Sequence, residues 1–212
     1  SPTQLATERL SIHHTPEVVQ MDTRPKDALE CVPKASIFEA TRLVATGEAD
    51  VTVTTGNTGG AIMACARNFN RLPGVRRGVL AAVFPTAQTR GQRHDPFALM
   101  LDSGATLDAT PEDLVAFAIM GDCYARCISN NEAPRIALLS NGSEPTKGRP
   151  AQVSAYQTLL QLHAEDRVNF IGSIEGLDIP KGTADVIVTD GFTGNIVLKL
   201  LEGMGETVSQ LA

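Results

Sequence analysis

Two stretches of this chain have the composition to hold an anion. Residues 49–64 read ADVTVTTGNTGGAIMA, and residues 184–199 read ADVIVTDGFTGNIVLK, nearly the same sentence again. Each is a short apolar run, then a glycine turn, then the start of a helix. Glycine lets backbone N–H groups approach a ligand without a Cβ in the way. At a helix N-terminus those groups and the helix dipole favour negative charge. Gly56, Asn57, Thr58, Gly59 and Gly60 in one copy, and Asp190, Gly191, Phe192, Thr193, Gly194 and Asn195 in the other, are suited to holding phosphate or polarising a carbonyl. Thr58 and Thr193 fall at the same place in the two copies. Two further loops have the same character: LDSGATLDATPED, with Asp102, Ser103 and Gly104, and LLSNGSEPTKG, with Asn141, Gly142, Glu144 and Lys147. The plainer reading is that tight strand-to-helix turns need glycine whatever they hold. Four such loops are expected at one edge of one parallel sheet, where ligands of open α/β folds bind.

Absences narrow the chemistry. Neither turn is a Walker loop or a G-x-G-x-x-G fingerprint, so a dinucleotide-dependent dehydrogenase is disfavoured. There is no G-x-S-x-G elbow, no H-E-x-x-H and no Cys beside a His in the sequence. His13 and His14 read as a surface pair. A site without a nucleophile works by positioning and by stabilising charge. Acyl or phosphoryl transfer onto a bound anion fits that description.

The elements that must position these loops follow from periodicity. Short runs rich in Val and Ile alternate with longer stretches of helical period, the pattern of βαβ units around a mainly parallel sheet. Strands are expected near 50–55, 78–84, 97–102, 135–140, 168–172 and 184–189. Helices are expected near 34–46, 60–71, 111–129, 150–163 and 195–210. Thr110, Pro111 and Asp113 form the clearest helix start, a cap, a first-position proline and a capping-box acid. Residues 1–33 show no sustained period and suggest only a short strand at VVQM. TAQTRGQRHDP, residues 86–96, reads as a long solvated loop, with Arg93 and His94 as its possible ligand contacts.

Composition sets the outer limits. With 42% hydrophobic and 20% charged residues, the chain is an ordinary folded protein rather than disordered or fibrous. A net charge of −6 argues against a nucleic-acid partner held by a broad positive field. Cys31, Cys65, Cys123 and Cys127 are too few and scattered for a disulfide framework and read as small buried residues in a reducing cytoplasm. No apolar run is long enough to cross a bilayer and no signal peptide opens the chain, so a cytoplasmic location is expected. The chain opens on Ser1 rather than Met and reads as trimmed or as part of something longer.

The blocks VTVTTGNTGGAIMA, LMLDSGATLD, PEDLVAFAIMGDCYAR, RIALLSNGSEPTKG and VNFIGSIEGLDIPKGTADVIVTDGFTGNIVLKLLEG resemble, in that order, those of the bacterial phosphate acyltransferase (PlsX) family of fatty acid and phospholipid synthesis. The resemblance runs from about residue 17 to 208. It implies a Rossmann-like three-layer αβα fold, related to phosphotransacetylases and isopropylmalate dehydrogenases, in a single domain over residues 1–212. The family's opening strand region and a C-terminal portion are missing from that domain. It implies an enzyme that moves a fatty acyl group from acyl carrier protein thioester to inorganic phosphate, giving acyl phosphate for glycerol-phosphate acylation. It also implies a homodimer, peripheral association with the inner face of the membrane, contact with a glycerol-phosphate acyltransferase, and no metal or organic cofactor.

By the same resemblance, Asn57, Lys147 and Asn195 orient groups or neutralise charge. Gly56, Thr58, Gly59, Asp102, Gly104, Asn141, Glu144, Asp190, Gly191, Thr193 and Gly194 surround the phosphate. The chain departs from the family at ECVPKASIF, which keeps only Lys34 and Ser36 of a basic run and paired serines. It also departs at Ser103 and Thr106, and at NGSE with its single Glu144. Two alternatives stay open: a phosphotransacetylase-like enzyme using acyl coenzyme A, and a non-catalytic anion-binding or membrane-associated scaffold.

Overall fold

A computed structural model describes residues 10–211. They divide after Pro73 into two compact units.

The first unit is helical. Its helices are α1 (Pro25–Cys31), α2 (Ser36–Ala45) and α3 (Thr58–Asn68). They close on a small core of Val19, Ala28, Ala35, Ile37, Phe38 and Ala64. The short strand expected at VVQM, residues 18–21, does not form; an isolated bridge pairs the preceding Glu17 with Ala35. The strand expected at 50–55 does not form. A strand needs a neighbour to take up its backbone groups, and among the described residues these have no ladder partner. Val51 and Val53 are consequently 72% and 86% exposed, whereas Val186, Ile187 and Val188 in the second copy of the same sentence are fully buried.

The second unit is a five-stranded sheet with helices on both faces. Its strands are β1 (Ala81–Arg90), β2 (Asp95–Leu101), β3 (Ile136–Leu139), β4 (Phe170–Ile174) and β5 (Val186–Val188). Their order is β1-β2-β5-β3-β4. The β1–β2 pair is antiparallel and the other three pairs are parallel. Helices α4 (Pro111–Ile128) and α5 (Pro150–Ala164) cover one face, where Leu99, Leu101, Leu114, Phe117, Leu138 and Val186 form the main core. On the other face, α6 (Gly191–Leu211) lays Val197 and Leu201 against Met100, Leu139 and Ile187. The outer side of α6 carries exposed Ile196, Leu200, Met204 and Val208. Thr110 and Asp113 form the expected capping box.

Two expectations are corrected in this unit. Residues 86–96 are a hairpin rather than a loop: β1 runs on to Arg90, Gly91 (φ 57) and His94 (φ 49) make the turn, and β2 begins at Asp95. The segment is polar because β1 is an edge strand with most of its residues in solvent, the usual protection of an edge. Arg93 donates to the carbonyl of Ile128 at the end of α4. The cysteines are also not core residues: Cys31 and Cys65 in the first unit, and Cys123 and Cys127 on α4, are all exposed, because each lies on the outward side of its helix.

The edge of the sheet where the parallel strands begin is fastened by a buried charge cluster. Asp185, 4% exposed, lies 2.7 Å from Arg90 Nε and 2.7 Å from Arg135 Nη2, and accepts from Arg135 N and Asn131 Nδ2. Arg90 also donates to the carbonyls of Gln88, Pro96 and Ala184. Burial pushes the Asp185 carboxyl upward, but the hydrogen bonds and charge of Arg135, with the charge of Arg90, outweigh it and hold the group below its ordinary value. Removing one member of such a pair strands the others. Asp185→Ala is expected to lower stability by about 3–5 kcal/mol, read as a fall in the urea midpoint. Because the folded state depresses this carboxyl, its stabilisation is complete above the unfolded value of about 3.9. It is lost as pH falls through the folded value. Wild-type stability is therefore expected to fall in acid more steeply than that of Asp185→Ala.

Candidate functional site

Because β2, β5 and β3 are adjacent and parallel, the loops that follow them meet at one edge. Three of the four glycine-bearing loops are therefore brought together. The loop after β2 is closed by Asp102, whose side chain is fully buried. Its Oδ1 accepts from the N–H groups of Leu80, Gly104 and Ala105, and its Oδ2 from that of Thr106. Four backbone donors occupy this carboxylate, so it organises the loop and has no face toward a ligand. Ser103 is buried too, bonded through N and Oγ to the carbonyl of Leu80.

The start of α6 docks onto that loop. Gly191 N donates to the Thr106 carbonyl, and Asn195 Nδ2 to the Ser103 carbonyl at 3.3 Å. A Cβ on Gly191 would meet Asp102 Oδ2 and the Thr106 backbone, and one on Gly194 would overlap the Asp102 carbonyl oxygen. These two glycines are demanded by close approach. Asp190 caps the helix, its Oδ1 accepting from Thr193 N and its Oδ2 from Thr193 Oγ1.

The loop after β3, residues 140–149, leads into α5. Gly142 lies against the side chains of Glu144 and Lys147, and Gly148 (φ 104) against those of Ser140 and Gln152. Asn141, Glu144 and Lys147 are exposed. Gln152 accepts from Arg149 N and donates to the Leu139 carbonyl, which ties the start of α5 to the end of β3. Arg149 Nη1 reaches across to Asp190 Oδ2 at 3.3 Å. Ser140, Asn141, Arg149, Gln152 and Thr193 line a cavity of about 480 Å³. A second cavity of about 210 Å³, lined by Asp108, Ala109, Leu114, Pro150, Ala151 and Asp190, shares Arg149 and Gln152 as its wall.

The sequence reading brought Asn141, Thr193 and Asp190 to this place and missed Ser140, Arg149 and Gln152. Arg149 could have been found: a proline at the first position of a helix makes the residue before it the N-cap, and Arg149-Pro150 has that form at the mouth of the cleft. The Gly56–Gly60 turn belongs to the first unit. There Asn57 caps α3, accepting from Gly60 N, while its Nδ2 donates to the carbonyls of Gln20, Met21 and Thr23. Gly59 and Gly60 lie against Pro25 and Val19. Asn57 therefore has its side-chain amide engaged at both ends. Among the described residues, no group of three or more His, Cys, Asp or Glu is placed to hold a metal.

Gly194 and Gly205, both on α6, make a paired test. Gly194→Ala is expected to cost about 1–3 kcal/mol by forcing α6 off the β2 loop. A Cβ on Gly205 meets nothing within 4 Å, so Gly205→Ala is expected to stabilise by up to about 1 kcal/mol through helix propensity. Thermal unfolding of the two variants checks both signs.

Comparison with known proteins agrees with this architecture. The chain is 40% identical over 203 residues to a phosphate acyltransferase of Nitratiruptor sp., covering 96% of this chain and 58% of that relative. It is 45% identical over 194 residues to a phosphate acyltransferase of Paramagnetospirillum magneticum, covering 91% and 52%. It thus spans between half and three fifths of the length of these relatives. Among solved structures, a phosphotransacetylase from Streptococcus pyogenes has the same fold at 19% identity and a TM-score of 0.56, over 85% of this chain and 58% of that one. Residues 3–212 match the model of the family described as fatty acid synthesis protein. With nearly the whole chain inside that match, and with the phosphate acyltransferases similar to it along most of its length, this chain belongs to that family.

Proposed function

We propose that this chain carries the phosphate-binding part of a phosphate acyltransferase, which moves a fatty acyl group from a carrier thioester to inorganic phosphate. The observation that carries the reading is the polar cavity at the sheet edge. Arg149, Ser140, Asn141 and Thr193 converge there, one cation with hydroxyl and amide hydrogen-bonding groups around it. An oxygen of phosphate attacks the thioester carbonyl carbon, and the tetrahedral oxyanion collapses with loss of the thiol. The products are acyl phosphate and the free carrier. The work of such a site is to hold an anion in place and to stabilise the oxyanion.

Arg149 and Lys147 supply positive charge, the Ser140 and Thr193 hydroxyls and the Asn141 amide supply hydrogen bonds, and Asp102 and Asn195 hold the scaffold. Asn57 holds the glycine turn of the first unit. Acyl carrier protein as donor, a homodimer, and work at the cytoplasmic face of the membrane beside a glycerol-phosphate acyltransferase are carried forward on the resemblance. No helix among the described residues is long and apolar enough to cross a membrane.

The test is to supply phosphate with long-chain acyl carrier protein or acyl coenzyme A and to assay acyl phosphate. Formation with the carrier protein is expected, at a rate that Arg149→Gln lowers about tenfold or more through the loss of a charge-assisted hydrogen bond. Turnover of coenzyme A thioester alone would favour the phosphotransacetylase-like reading. No acyl phosphate from either donor would leave an anion-binding scaffold.

A further inference from the structure

The ion pair between Arg149 and Asp190 stands at the boundary of the two cavities, and its two partners depend on it unequally. Asp190 is only 7% exposed and is already satisfied: both its oxygens accept from Thr193, and it sits at the positive end of α6. Arg149 is 56% exposed in its side chain and touches Asp190 through one nitrogen, at 3.3 Å. Its backbone is anchored by Gln152, so the guanidinium can swing about a fixed base. A pair whose cation lies largely in solvent and meets its partner through one long contact is worth little. A phosphate, with its greater charge and several oxygens, matches the planar guanidinium bidentately where a single carboxylate oxygen does not.

We propose that Asp190 is a built-in competitor of the phosphate anion. In the empty site it holds the Arg149 guanidinium against the start of α6. Phosphate entering the larger cavity takes Arg149 over, and Asp190 stays behind as the cap of α6, still accepting from Thr193. Arg149 forms part of the wall of both cavities, so its movement changes the lining of each. When acyl phosphate leaves, Asp190 recaptures the arginine, which weakens the hold on the product. Asp190 is thus a positioning residue acting through Arg149, and the inference rests on the phosphate reading of this cavity.

The test is a double-mutant cycle read by calorimetric titration with inorganic phosphate: wild type, Asp190→Asn, Arg149→Gln and the double variant. Asn caps a helix as well as Asp, and Asp190→Ser is a second uncharged cap should the first variant fold poorly. The expected result is that Asp190→Asn binds phosphate about two- to fivefold more tightly, the range set by exposed ion pairs, and that this gain disappears in the Arg149→Gln background. An equal gain in both backgrounds would mean that Asp190 acts only as a nearby negative charge, and would overturn the proposal. So would no gain at all. Phosphate binding that Arg149→Gln leaves unchanged overturns the competition while sparing the phosphate reading. Failure of all four proteins to bind phosphate overturns both.

Discussion

The sheet edge that carries the cleft depends on one buried carboxylate. Asp102 gathers four backbone N–H groups, one from Leu80 ahead of β1 and three from its own loop. A fully buried anion without such donors would cost several kcal/mol. With them it draws the chain into a rigid shelf, on which α6 starts. The shelf fixes Asp190 and Thr193, and the opposite wall is fixed by Gln152 between Arg149 and the end of β3. The walls are held by hydrogen bonds, as pre-organised sites require, and the exposed Arg149 side chain is the adjustable part.

The other end of the sheet is held by a different carboxylate in a different way. Asp185 is buried with two arginines and carries β5 at its most apolar point, where Val186, Ile187 and Val188 are fully enclosed. Asp102 and Asp185 both lie at strand ends in the middle of the sheet. One is neutralised by backbone dipoles and the other by guanidinium charge. This division fits their surroundings: the backbone N–H groups at Asp102 are already used, which leaves Arg149 as the guanidinium that faces the cleft.

Much of this was legible in the sequence because it rests on local rules. The alternation of Val- and Ile-rich runs with helical periods gave the second unit, and the capping box at Thr110 appears as written. What was not legible depends on partners. The runs at 51–55 and 186–188 are nearly the same text, yet the second is enclosed by β2 and β3 and the first has no neighbour among the described residues. The hairpin at 86–96 was hidden because an edge strand and a loop share a polar composition. In the cleft, the glycine turns announced the place but not the work: Asp102, Gly191 and Gly194 build it, while Arg149 passed unnoticed as the residue before a proline.

The contact at Gly194 bears on how an evolutionary record of this protein should be interpreted. Any side chain there collides with the carbonyl of Asp102, so a substitution is felt in folding before catalysis is put to selection. A position that never varies for that reason looks the same, in a comparison of many genomes, as one that touches the substrate. Positions such as Arg149 and Thr193, where other residues could fit without breaking the fold, are the ones whose constancy would report on the reaction.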